Sequence, residues 1–559
     1  MSRTRAMAAL QRMAADHRSA AALRMPVGEY RDIRDEAAAD PAGPSRRALI
    51  KRAGVLGIGL GLAGTALSRP ALAAESAPKP PVNPGRVVIV GAGIAGLTAA
   101  LTLADAGVKS TVYEANPTRV GGRMYSQKTY WGGGQTSEIG GELIDTGHKK
   151  MLELCRRFGL ATVDFAGSGP NGATETLWFD NAYYPRAQAD EDFKAMYQAV
   201  RRDYQECGDV TWNRTTAAGT AISNTTLRDW IHSRTPGGSS SALGQFLDVA
   251  YTVEYGAETV DQSAYAAVCM LGWQSNPGHF NIWGGSNERY HVVGGNDQVP
   301  HAINAALPSG TVRMGHKLLA VRANGDGTQT LTFDTDGTTT TVTADHTILA
   351  VPLPILKGLD LTRAGFDPMM TNLLRDSRMG HVSKLNMQFT KRTWLGVSGN
   401  GLGPWPGVAA GDAFTDLPFQ QTWDTTKGQP GTKGVLIQYG GGTMASALNP
   451  SGPFNTAEQD AYVANLANTY LGQIDNLFPG TKAQWTGKAQ LSAWTRNPYS
   501  LGAYSYWPVG YLHRYAGYEG TRQGNVHISG EHTSYDFQGF MEGGATEGAR
   551  AAKEVLGLA

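Results

Sequence analysis

Three glycines, Gly91, Gly93 and Gly96, stand in the spacing G-x-G-x-x-G, and a carboxylate, Glu114, follows 23 residues after the first. Each residue type has a task at that spacing. Gly91 permits a tight turn out of a strand, Gly93 lets backbone approach a pyrophosphate, and Gly96 lets a helix lie close to the strand. A helix that begins at Ile94 and Ala95 presents unpaired N–H groups and a partial positive charge to the phosphates. Glu114, with Ala115 beside it, can accept hydrogen bonds from both ribose hydroxyls, and its charge repels a 2′-phosphate. The chemistry is that of dinucleotide binding, with NADP disfavoured.

Those residues meet only if the chain runs strand, turn, helix, strand. Residues 86–90 are a short β-branched run suited to a buried parallel strand. Residues 94–106 are alanine-rich with helical periodicity, and Gly107 stops them. Residues 109–113 read as a second strand that ends on Glu114. The glycines thus sit on the first turn of a βαβ unit, which turns a weak motif into a strong one.

The next segment separates FAD from NAD. "RVGGRM" brings Gly121, Gly122 and Arg123 just past the second strand, and "EIGGELID" follows over Glu138 to Asp145. With these motifs the sequence resembles the flavin-containing amine oxidase family, which includes monoamine oxidases and L-amino-acid oxidases. The resemblance implies FAD, with Gly122 and Arg123 at the cofactor phosphates. It also implies that the segment Gly140, Gly141, Glu142 and Leu143 passes beside the flavin. Far along the chain, a strand-like "NVHIS", then "GEHTS" and the helical "GFMEGGATEGARAAKEVL" return to the same cofactor. There the resemblance places Glu531 at the ribityl or phosphate region and the backbone of Met541 at the flavin ring, on a helix N-terminus. A positive helix end stabilises negative charge on reduced flavin. Two further blocks, "HVVGGNDQVPHAI" and "ADHTILAVPLPIL", also match, and the resemblance brings the Leu318 backbone to adenine.

The family's reaction needs a flavin, a pocket that holds a C–N bond, and a neutral amine. The resemblance assigns catalytic roles to Lys384, which would hold a water at flavin N5 and favour oxygen, and to an aromatic pair, Tyr504 and Phe540. Phe540 replaces the usual tyrosine and removes a hydroxyl. Ala503 stands where covalent members carry a cysteine, so the FAD is expected to be non-covalent. No arginine follows the GG segment to grip a carboxylate, which favours an amine, one whose second positive charge Glu142 could pair with. An L-amino-acid oxidase is the alternative, and a dehydrogenase serving an electron carrier or a flavin-bound scaffold without turnover are more distant ones. Trp273, Trp283 and Tyr290 are candidates for the substrate wall. No Ser-His-Asp pattern or clustered His/Cys spacing stands out, so no metal is expected. The expected partners are a small amine or amino acid and O2, and a homodimer remains open.

The expected fold is α/β. A Rossmann-type FAD-binding domain is assembled from discontinuous segments 85–150, 291–364 and 496–559. An inserted, mixed α+β substrate-binding domain is helical over 151–290 and forms a sheet over 365–495. With 41% hydrophobic residues, 17% charged residues and a net charge of +1, the composition is that of a large globular protein and gives no sign of nucleic-acid binding. Cys155, Cys207 and Cys269 form no CxxC pair and read as buried thiols, with one disulfide left open in an exported protein.

Residues 1–75 read as an address. "SRRALIK" resembles a twin-arginine export signal. The 15 apolar and glycine-rich residues 53–67 are too few to span a bilayer. "ALA" at 71–73 suits cleavage near 73/74, and Pro-rich residues 76–84 link to the folded body. Residues 1–44 exceed what a signal needs, and Met25 is an alternative start. Export by this route predicts a secreted chain whose first residue, read by N-terminal sequencing, lies near Ala74. Recovery of residues 1–44 on that chain would contradict it.

Overall fold

The computed structural model describes residues 83–272, 277, 281–284, 286–397 and 405–558. The export signal, residues 76–82 of the linker, and Trp273 lie outside the described residues. Val87–Val90, four buried residues in a row, opens the fold. A buried strand must have hydrogen-bond partners on both edges. Here His346–Leu349 and Ser110–Tyr113 flank it, both parallel. Val526–Ile528 extends the sheet on the first side and Val312–Arg313 on the second, giving five parallel strands. Strands from three distant stretches of chain therefore share one sheet.

Two helices close over that sheet, Ile94–Asp105 from the first turn and Met541–Val555 from the end of the chain. Their approach depends on missing side chains. A Cβ on Gly548 would lie 2.1 Å from the Ala95 carbonyl, and one on Gly96 would lie 1.9 Å from the Gly91 carbonyl. One apolar core joins both ends of the chain. It includes Ile89, Leu97 and Val112 from the start, Ile348 from the middle, and Ala545, Ala552 and Val555 from the end.

A second, seven-stranded sheet runs in the order Trp485–Ala493, Val382–Phe389, Gly434–Gly441, Gln421–Asp424, Ala413–Thr415, Thr176–Phe179 and Ala182–Tyr183. Its last two strands come from a stretch expected to be helical. Thr176–Phe179 carries too few residues for a periodic signal and is fixed by parallel pairing with Ala413–Thr415. Elsewhere in that stretch Arg186–Cys207, Ala242–Tyr255 and Tyr265–Gly272 are the principal helices, and Thr162–Asp164 is a further short strand. The alternating pattern after residue 316 forms the antiparallel strands Lys317–Ala323, Gln329–Thr335 and Thr338–Ala344. The three cysteines are buried free thiols. Among the described residues, no helix is long and apolar enough to cross a membrane.

Candidate active site

Open α/β sheets bind ligands beyond the carboxyl ends of their strands. Four such ends, Val90-Gly91, Tyr113-Glu114, Ala350 and Gly530, line a cavity of about 390 Å³. Gly93, Ile94, Ala95, Ala115, Gly122, Arg123, Gly141, Leu318, Ala503, Tyr504, Glu531, Phe540 and Met541 line it too. Gly96 does not; it sits in the contact between helix and strand described above. The Glu114 carboxylate accepts from the Ala92 N–H at 2.7 Å and from the Asn116 N–H at 2.8 Å, so it is already oriented. Burial lifts its pKa above the ordinary value, against the pull of those two hydrogen bonds.

Arg123 ties three stretches of chain together around this cavity. Its Nη1 donates to Glu531 at 2.9 Å and also to the Ala503 carbonyl. Glu531 further accepts from Ser505 Oγ at 2.8 Å and from the Gly539 N–H at 2.8 Å. Burial alone would raise the Glu531 carboxyl, but the Arg123 charge and the hydrogen bonds from Arg123 and Ser505 are among the effects that together hold it below its ordinary range.

A smaller space of about 80 Å³ adjoins the first cavity. Gly140, Gly141, Glu142, Leu143, Lys384, Ala503, Tyr504, Phe540 and Met541 border it. Lys384 is only 7% exposed, not the solvent-facing strand lysine that its residue type favours. Its Nζ lies 2.5 Å from Glu142 Oε2 and 5.4 Å from the centre of the Trp423 ring. Glu142 accepts in addition from Trp423 Nε1 at 2.9 Å and Thr425 Oγ1 at 2.6 Å. This corrects one expectation. Glu142 cannot pair with a second charge on the substrate, because a lysine, an indole and a hydroxyl already hold its carboxylate.

Tyr504 also lines a third cavity, of about 590 Å³, with Leu143, Trp283, Phe414, Trp423 and Tyr439 among its walls. The Tyr504 hydroxyl donates to the Val253 carbonyl at 2.7 Å and lies 3.0 Å from that of Tyr439. Phe540 meets His148 edge to face at 4.8 Å. Of the other wall candidates, Tyr290 packs instead against the core of the parallel sheet. The sequence reading missed Tyr439, Trp423, Glu254 and Glu288, all on the wall of this cavity. The first two come from strands whose sequences carry no motif.

The charges of the large cavity are arranged unequally. Arg186 is paired with Glu175 at 2.5 Å and Asp190 at 3.2 Å, and Lys427 with Asp412 at 2.5 Å. Among the described residues, no group makes a hydrogen bond to the Glu288 carboxyl. Burial and the neighbouring Asp145 and Glu254 push that carboxyl up to about 8.

Comparison with known proteins follows the same lines. A family model described as flavin containing amine oxidoreductase matches residues 94–556. An L-amino-acid oxidase of Mus musculus is 25% identical over 493 residues, covering 85% of this chain and 71% of its own. A putative L-amino-acid oxidase of Bacillus subtilis (strain 168), YobN, is 24% identical over 499 residues, covering 85% of this chain and 95% of its own. Among solved structures, cyclohexylamine oxidase from Brevibacterium oxydans IH-35A superposes with a TM-score of 0.67 at 20% identity, over 86% of this chain and 99% of its own. Putrescine oxidase bound to putrescine gives 0.67 at 20% identity, over 84% and 99%.

The Lys384–Glu142 pair generates a stability prediction. Burial raises the Glu142 carboxyl, the charge and hydrogen bond of Lys384 with the hydrogen bonds of Thr425 and Trp423 together outweigh burial, and the net position is below the ordinary 4.5. A carboxyl lowered on folding contributes stability that is present above its unfolded pKa and lost as pH falls through the folded one. Glu142→Gln, which leaves a buried ammonium without its anion, should destabilise the protein at neutral pH by on the order of 3 kcal/mol in chemical denaturation. The gap to wild type should close below about pH 4.5. A gap that stays constant into acid would show that the pair is not its source.

Proposed function

The chain belongs to the flavin-containing amine oxidoreductase family, and on that premise we propose that it is an FAD-dependent amine oxidase whose substrate is an amine rather than an amino acid. The observation that carries the choice is the charge inventory of the 590 Å³ cavity. Both cations on its wall are already paired with carboxylates, so neither is free for a substrate carboxylate, while a carboxyl remains to meet a cation. The second reading, an L-amino-acid oxidase, draws on relatives of that name at 24–25% identity.

The first cavity suits FAD. A side-chain carbon on Gly93 would meet nothing nearer than the Gly122 Cα at 3.9 Å, so the space between two glycines stays open for a pyrophosphate. The N–H groups of Ile94 and Ala95 on the first helical turn, with Arg123, provide donors for its phosphates. Glu114 would hold the ribose, the Leu318 backbone the adenine, and Gly141 and Met541 the ring system. Ala503 offers no sulfur for a covalent bond, so retention is by contact alone. Bound FAD supplies the acceptor for the hydride that leaves the amine-bearing carbon.

The protein's own residues then position and exclude. Tyr504 and Phe540 give that carbon two aromatic walls, which favour an amine nitrogen and align a flat C–N unit. The helix Met541–Val555 begins beside the ring site, where its positive end suits negative charge on reduced cofactor. Lys384, held by Glu142, gives the same space a cationic donor toward reduced oxygen. The balance is amine, water and O2 to aldehyde, ammonia and hydrogen peroxide.

A panel of amines and amino acids, read by peroxide release, tests the reading. Peroxide with amines and none with amino acids is expected, and turnover of amino acids alone would reverse it. Acid precipitation of the same preparation should leave yellow flavin in the supernatant; colour kept in the pellet would refute non-covalent retention. Lys384→Met should slow flavin reoxidation by O2 roughly a hundredfold while slowing flavin reduction far less. Equal slowing of both half-reactions would remove the oxygen role.

A further inference from the structure

Glu288 enters the 590 Å³ cavity from the loop that follows Trp283, with its backbone at φ +43°, a conformation uncommon for a residue with a side chain. The loop is fixed from behind by Asp145, which is 1% exposed. The Asp145 carboxylate accepts from Ser286 Oγ at 2.9 Å, from the Asn287 N–H at 3.1 Å and from the Glu288 N–H at 2.7 Å. His148 Nε2 lies 3.3 Å from the same carboxylate, and the His148 ring abuts Phe540. One buried anion therefore holds the backbone of Glu288 and, through His148, backs an aromatic wall of the reaction space.

The rest of the cavity lining is charge-imbalanced. Carboxylates from Glu175, Asp190, Glu254, Glu288 and Asp412 face it, against the cations of Arg186 and Lys427. The cations are held by Glu175, Asp190 and Asp412, so neither is paired with Glu288. A carboxyl partly withdrawn from water beside other acids favours neutralisation by a proton or a cation. The reacting nitrogen of an amine has to sit at Tyr504 and Phe540, in the adjoining small space, and Phe540 does not line the large cavity. A second cationic group on the same substrate can extend past Tyr504 into the large cavity.

We propose that Glu288 is a specificity-determining residue that binds the distal ammonium of a substrate carrying two amines, and that Asp145 is the positioning residue that holds it there. This rests on the amine-oxidase reading and narrows its substrate class to diamines. Without ligand, the Glu288 carboxyl lies at about 8, raised by burial and by Asp145 and Glu254. The remaining charged groups on the wall, Asp412 with Lys427 and Arg186 with its two acids, are mutually paired, and the Tyr439 hydroxyl is raised by burial and stays neutral. A bound distal ammonium favours the ionised form of Glu288, so its uptake near neutral pH releases a proton.

The experiment compares straight-chain α,ω-diamines with monoamines of equal length, as ratios of kcat/KM on the flavin-loaded enzyme. Each ratio normalises for general damage in a variant. Wild type should favour the best diamine by at least about tenfold, the worth of one hydrogen bond to a charged group. That preference should grow as pH rises toward about 8. Glu288→Gln should bring the ratio to near one and flatten its pH dependence, and Glu288→Asp should restore part of it. Asp145→Asn should lower the ratio in wild type but not in the Glu288→Gln background, the signature of action through Glu288. A wild-type ratio near one, or a ratio unchanged in Glu288→Gln, overturns the role of Glu288. An equal effect of Asp145→Asn in both backgrounds overturns the positioning role. Wild type that oxidises amino acids and no amine fails differently: it removes the amine reading on which this inference stands.

Discussion

The ion pair between Arg123 and Glu531 joins residues 408 positions apart and borders the space between the first loop of the fold and its last turn. Glu531 is fully within the protein, and an ionised carboxylate there is tenable only with strong compensation. The compensation comes from three sources at once: the Arg123 guanidinium, the hydroxyl and N–H of Ser505, and the N–H of Gly539. Arg123 and Gly539 line the dinucleotide cavity, and Ser505 follows Tyr504, which lines it too. The close approach of Gly548 to the Ala95 carbonyl sets the distance between the two helices, while this polar cluster sets the register of the loops above them. Sheet and helices alone would leave the cavity without its rim.

The two acids beside the reaction space, the buried Glu142 and the half-buried Glu288, show how environment assigns different work to the same side chain. Glu142 meets a lysine, an indole and a hydroxyl within hydrogen-bond reach and is held ionised. The Glu288 carboxyl is raised to about 8, first by loss of water and then by the neighbouring acids Asp145 and Glu254. Glu142 is part of the scaffold that keeps Lys384 near the ring site, whereas Glu288 is available to an incoming cation.

Much of this was legible from residue types. The glycine spacing, the acid after the second strand and the GGR loop announce the cavity, because each is local: turn, helix start and strand end lie within one βαβ unit. The hairpin strands after residue 316 were equally plain from their alternation. The partners of Glu142 were not, since Trp423 and Thr425 lie 281 and 283 positions away and arrive only through sheet pairing. Nor was the setting of Glu288. Its meaning depends on Asp145, which by sequence is simply the last letter of "EIGGELID". Nothing in the local pattern says that this acid turns back to hold a loop 141 to 143 positions on.

The loss of a tyrosine hydroxyl at Phe540 acquires a physical sense in this setting. The remaining hydroxyl, on Tyr504, is engaged with the Val253 carbonyl and with Tyr439, so neither ring of the aromatic pair offers a free dipole to an ammonium. A small enclosed space with aromatic walls penalises the charged form of an amine by desolvation and favours the neutral one. Hydride can leave only from a carbon whose nitrogen has a lone pair to share. The large cavity imposes the opposite condition, since surplus carboxylate there favours a cation. Two compartments joined at Tyr504 thus suit one molecule held in two protonation states, neutral where it reacts and charged where it is recognised. An amine with a single nitrogen could satisfy one compartment and not the other.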